Sequence, residues 1–114
     1  MSQIIGMLDA YGYRAMVWDV AVERLEKAQP NEVLIAGGLR QAETVLRVLT
    51  SLKAPGPWLL GDQLTLADLH AAPIVGYFVK VAEGQKLLAQ FADIQGWYTR
   101  IAARTSSART EKAE

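Results

Sequence analysis

The apolar residues of this chain recur in steps of three and four, and that period most narrows what it can fold into. In the first segment, about residues 2–27, Ile4, Leu8, Tyr11, Ala15, Trp18, Val22 and Leu25 alternate between the two steps, which places them on one helical stripe. Met7, Met16, Val17, Val20 and Ala21 widen the apolar surface, so burial on more than one side is expected. Gln29-Pro30-Asn31 interrupts the pattern, and Asn31 is a suitable N-cap for a second helix. There Ile35, Leu39, Ala42, Leu46 and Leu49 step the same way, with Val45 and Leu52 alongside, as far as about Lys53. The short connection predicts an antiparallel helical hairpin. Gly37-Gly38 costs ~1 kcal/mol per residue relative to Ala inside a helix. The pair therefore predicts close approach of another backbone, within the chain or across a dimer.

Ala54-Pro55-Gly56-Pro57 reads as a loop, with Trp58-Leu59-Leu60 tucked beneath it. A third helix is predicted from Leu66 to about Val81, apolar nearly all round and so the most buried, with a kink at Pro73 and an end at Glu83-Gly84. A short helix over Gln85–Phe91 follows, then a last one capped by Asp93 that presents Ile94, Trp97, Ile101 and Arg104. No segment alternates with period two. The expected fold is an all-α bundle of about five helices over residues 1–104, with a flexible polar tail over 105–114.

The most specific local pattern is Gly61-Asp62-Gln63-Leu64-Thr65-Leu66-Ala67-Asp68-Leu69. With Thr65 as N-cap, its hydroxyl can accept the backbone N–H of Asp68, while the Asp68 carboxylate reaches back to the N–H of Thr65. Leu64 and Leu69 take the two positions of a hydrophobic staple, and Gly61 supplies a turn with positive φ. On this basis Asp68→Ala is expected to destabilise by about 1–2 kcal/mol. The device is structural and performs no chemistry.

Composition removes several functions. The 12 basic and 12 acidic residues cancel, so no global field attracts nucleic acid or an anionic membrane. The absence of cysteine removes thiolate catalysis, disulfides and Cys-based zinc sites, and the single His70 cannot supply a metal's ligand set. No apolar run approaches the ~20 residues of a membrane span, and no signal peptide is evident, so a cytoplasmic protein is the default. No Ser–His–Asp arrangement or phosphate loop can be assembled, leaving neither a catalytic nor a metal-binding residue to nominate. His70 reads as a surface or core-edge residue. Tyr11 and Trp18 share the first stripe, which favours core packing; Tyr13 and Arg14 fall off it and suit a pocket or an interface. Asp9, also off the stripe, reads as a solvated carboxylate.

Taken together, Gly61–Leu69, the following His70-Ala71-Ala72-Pro73, Trp97-Tyr98 with Arg104, and Asp9-Ala10-Tyr11-Gly12-Tyr13-Arg14 resemble the C-terminal all-α domain of glutathione transferases, most closely the bacterial ones. The resemblance covers about residues 2–110. It implies that Gly61, Leu64, Thr65, Asp68 and Leu69 form the family's cap and staple. It implies further that Tyr11, Tyr13 and Trp18 line a pocket for an apolar co-substrate, and that Asp9 contacts glutathione bound by the other subunit. In that family a preceding thioredoxin-like domain binds glutathione and supplies the catalytic Tyr, Ser or Cys. These 114 residues show no βαβ pattern and are helical from the outset. Expected, then, is a homodimeric, glutathione-transferase-like helical domain that takes a small apolar ligand. It needs no cofactor of its own, and glutathione chemistry requires a thioredoxin-like partner in trans. The alternative is a non-enzymatic module for protein–protein interaction or scaffolding.

Overall fold

A computed structural model describes residues 2–113, with side chains over residues 3–104. Helix α1 is one continuous rod in three stretches: Ser2–Met7 and Glu23–Glu26 are α-helical, and Leu8–Val22 between them is π-helical. Helix α2 follows over Glu32–Leu52, α3 over Leu66–Phe78, α4 over Ala82–Ala89 and α5 over Ala92–Ala113. The only β pairing among the described residues is an isolated bridge between Trp58 and Gly61. The body measures 41 × 38 × 22 Å. Its thin dimension holds two layers of helix, each about 10–12 Å across.

The winding of α1 changes the stripe read from the sequence. The N–H of Glu23 bonds to the carbonyl of Trp18, five residues back, and i→i+5 bonding stacks residues four and five apart. The buried residues are Ile4, Leu8, Gly12, Ala15, Met16, Val17, Val20, Ala21 and Val22, so Ile4, Leu8, Ala15 and Val22 of the predicted stripe stay inside. Tyr11 and Trp18, expected in the core on a three-four register, are rotated out and stand 55% and 50% exposed. Leu25 leaves the core with them.

Against these residues packs α2, through Ile35, Ala42, Val45, Leu46 and Leu49. The two glycines of α2 differ in purpose. A Cβ on Gly38 would lie 2.8 Å from the Asp19 Cβ, 2.9 Å from Val20 Cγ2 and 3.1 Å from the Ala15 carbonyl oxygen, so the close approach is to α1 of the same chain. Gly37 meets nothing nearer than an Arg40 nitrogen at 3.8 Å.

Ion pairs and caps hold the ends of this hairpin. The buried Glu23 carboxylate accepts the N–H of Asn31 at 2.9 Å, and the Asn31 side chain accepts that of Leu34 at 3.1 Å, starting α2. Arg24 donates two hydrogen bonds to Glu32, at 2.7 and 2.8 Å, and two to Glu83, at 2.9 and 2.6 Å, tying α1 to α2 and α4. The Arg24 contact holds the Glu32 carboxyl below its ordinary range, and the two carboxylates push the guanidinium up.

Leu59, Val75, Phe78, Ile94, Trp97 and Ile101 complete the core. Helix α3 is less enclosed than its apolar sequence predicts: Leu66 and Leu69 stand 65% and 53% exposed. It also stops at Phe78, and Glu83-Gly84 falls inside α4 instead of ending α3. The reason is steric: the Phe78 carbonyl occupies the space a Cβ on residue 84 would need, so only glycine lets α4 begin against the end of α3. Helix α5 is assigned through Ala113, while side chains from residue 105 onward lie outside those described, as does the flexibility expected of 105–114.

Candidate functional site

The start of α3 is fixed by one carboxylate. Gly61 adopts φ +126°, and Trp58 and Gly61 exchange backbone bonds of 3.0 and 3.1 Å to close the turn beneath the Ala54–Pro57 loop. Thr65 then takes extended backbone at the N-cap, and its N–H donates to Asp68 Oδ2 at 2.8 Å, with its hydroxyl 3.3 Å from the same oxygen. The other oxygen, Oδ1, accepts the N–H of Leu59 at 2.8 Å and the indole N–H of Trp97 at 2.7 Å. Asp68 is fully buried and every bond it makes is to the protein. It joins the loop, α3 and α5 at one point, and these contacts take up its accepting oxygens.

From this fixed start, α3 presents Leu69, His70, Pro73 and Ile74 toward α1, three and four residues apart on one face. Facing them on α1 are Asp9 and Tyr13, four apart and brought onto one side of the rod. The six line an open cleft of about 390 Å³ with mostly apolar walls. His70 Nε2 lies 2.8 Å from Asp9 Oδ1, the one side-chain hydrogen bond between α1 and α3 among the described residues. Asp9 is exposed, as expected of an off-stripe carboxylate, and His70 also contacts it beside the cleft.

The three aromatic residues expected to share one pocket do not meet. Only Tyr13 lines the α1–α3 cleft. Tyr11 lines a second, almost wholly apolar groove of about 400 Å³ between α1 and α2, with Met7, Gln41, Thr44, Val45 and Val48. Trp18 borders a polar hollow with Arg14, Asp19, Glu23 and Lys27. Tyr13 lies off the stripe of Tyr11 and Trp18 in the first place, and the π-helical winding separates those two, since residues that share a face at 3.6 per turn diverge when the bonds run to i+5. His70, Leu69, Pro73 and Ile74 were not assigned to a pocket from the sequence. Their common face on α3 was legible in the spacing, but its partner on α1 depended on the winding.

Among the described residues, no group of three His, Asp or Glu side chains is placed to hold a metal ion. No helix there is long and apolar enough to cross a membrane. The cleft brings one imidazole, one carboxylate and one phenol together among apolar walls. It holds no activated nucleophile.

Comparison with known proteins agrees with this architecture. The family described as glutathione S-transferase, C-terminal domain, matches residues 19–100. Glutathione S-transferase F13 of Arabidopsis thaliana is 27% identical over 90 residues, 79% of this chain and 41% of that protein. Glutathione S-transferase 1 of Triticum aestivum is 26% identical over 85 residues, 75% of this chain and 37% of that one. A solved glutathione S-transferase III in its apo form superposes with a TM-score of 0.78 at 23% identity, over 98% of this chain and 53% of its own length. The chain thus spans about two fifths of the curated relatives it matches and about half of the solved structure. With the helical order, the Asp68 junction and the family match in agreement, the chain belongs to the glutathione S-transferase family as its C-terminal, all-helical domain.

Proposed function

We propose that this domain supplies a binding site for a small apolar ligand and one face of a homodimer, and that it does not conjugate glutathione by itself. The observation that carries the ligand site is the α1–α3 cleft. Its volume of about 390 Å³ lies within the range of small-molecule pockets, and Tyr13, Leu69, Pro73 and Ile74 provide apolar walls around two polar groups. Tyr11 and Trp18, in their separate clefts, take no part in it. The family match is to the C-terminal domain, and the relatives extend well beyond the part this chain aligns with. Glutathione chemistry therefore calls for a thioredoxin-like domain supplied in trans, and Asp9, on the cleft wall, is the residue that would contact the tripeptide. Thr65 and Asp68 serve as a capping box, with Leu64 and Leu69 as its staple and Gly61 as its turn; their role is to position the α3 wall.

The groove between α1 and α2 is the face for a second copy. Tyr11 and Val48 stand exposed beside Met7 and Val45, and exposed apolar surface of this kind tends to be covered. The balanced charge of the chain fits a cytoplasmic setting without nucleic-acid or membrane partners. An alternative use as a protein-interaction or scaffold module is favoured by Leu66 and Leu69, which stand exposed beside the cleft. A conjugation assay with glutathione and a chlorinated aromatic electrophile, paired with calorimetric titration of each compound, decides among these. Binding of the arene without glutathione binding or turnover supports the ligand-site reading. Turnover by the chain alone overturns it, and absence of any small-ligand binding favours the scaffold.

A further inference from the structure

We infer that the α1–α3 cleft selects arenes that carry a hydrogen-bond donor, phenols being the simplest class, and that His70, held by Asp9, is the residue that reads the donor. This rests on the cleft being a small-ligand site. It then follows from which polar atoms the cleft offers. A carboxylate can only accept, so at 2.8 Å the shared proton belongs to His70 Nε2 and the Asp9 oxygen receives it. In the neutral imidazole with its proton on Nε2, Nδ1 carries a lone pair, and it has no hydrogen-bond partner among the described residues. The second Asp9 oxygen is also an acceptor. Pro73, inside α3, has no N–H to give the carbonyl of Leu69 one turn earlier. Only the Tyr13 hydroxyl can act in either sense.

A ligand entering this cleft therefore meets apolar walls and a set of acceptors. A phenol satisfies both: its ring displaces water from Tyr13, Leu69, Pro73 and Ile74, and its O–H donates to Nδ1. A bare hydrocarbon strips water from the same acceptors and returns nothing, which is unfavourable. An arene carboxylate brings a second negative charge to Asp9. The expected order of affinity is 2-naphthol, then naphthalene, then 2-naphthoate.

The test is equilibrium binding of these three probes to the full chain, followed by calorimetry or probe fluorescence. One hydrogen bond of typical net strength predicts about a tenfold preference for 2-naphthol over naphthalene. His70→Phe keeps an aromatic wall and removes the imidazole acceptor, so it should diminish the preference while leaving naphthalene affinity in place. Asp9→Asn removes the charge and should narrow the gap between naphthalene and 2-naphthoate. It also keeps the test decisive if His70→Phe fails to fold. Equal binding of naphthol and naphthalene, tightest binding of naphthoate, or undiminished preference in His70→Phe overturns this inference while leaving the ligand site standing. No binding of any probe overturns both.

Discussion

Asp68→Ala is the perturbation whose outcome depends most on how α3 is held. The carboxylate receives the N–H groups of Leu59, Thr65 and Trp97 at 2.7–2.8 Å, and it is fully buried. Removing it strands the Leu59 amide and the Trp97 indole N–H without acceptors, and each stranded buried donor costs about 1–3 kcal/mol. Loss of the cap on α3 adds about 1 kcal/mol. Some relief through water entering the vacated space brings the expectation to about 3–5 kcal/mol, at the upper end of single substitutions. Urea melts monitored by circular dichroism measure it directly. A double-mutant cycle with Trp97→Phe isolates the indole share: where no indole N–H is left to strand, Asp68→Ala should cost about 1–2 kcal/mol less. A loss below about 1 kcal/mol, or full additivity in the cycle, would refute the claim that this carboxylate joins the loop, α3 and α5.

Two neighbouring glycines should respond oppositely to the same change. Gly38→Ala drives a Cβ into Asp19, Val20 and the Ala15 carbonyl and should destabilise by about 1–3 kcal/mol, whereas Gly37→Ala meets only an ordinary contact with Arg40 and should stabilise by up to about 1 kcal/mol. Equal effects in urea melts would mean that the α1–α2 packing has been misplaced. Because Arg24 holds Glu32 below its ordinary carboxyl range, the pair's contribution to stability is present above that range and is lost as pH falls through the lowered value. The urea midpoint should fall in that acid window, and the part due to Glu32 should disappear in Arg24→Ala; an unchanged pH profile in the variant counts against the pair. Sedimentation of the chain at micromolar concentration should show a dimer, and Tyr11→Glu should yield the monomer. A monomeric parent removes the α1–α2 groove as an interface.

Much of the fold was legible in the residues, and what was not has a physical explanation. The three-four spacing of α2, the Pro30 break, the positive-φ turn at Gly61 and the Thr65–Asp68 spacing are local, and each is readable within one turn of helix. The winding of α1 is not local in that sense. Its apolar residues fit a three-four register and a four-five register, because Met7, Met16, Val17, Val20 and Ala21 lie beside the first stripe. Packing against α2 through Gly38 accompanies the four-five register, which puts Tyr11 and Trp18 outside. For the same reason the candidate site was only partly visible. Asp9 and Tyr13 were singled out, but His70 looked like a bystander, since its partner lies 61 residues away on another helix. The partners of Asp68 show the same limit: Thr65 is three residues off and readable, whereas Trp97 is 29 off and was not.

The central claim is that the α1–α3 cleft takes the ligand, and amide chemical-shift mapping during titration with 2-naphthol tests it most directly. Shifts concentrated at Asp9, Tyr13 and the Leu69–Ile74 face, saturating together, are the result this structure predicts. Shifts centred on Met7, Tyr11 and Val48, or none at saturating probe, would contradict it.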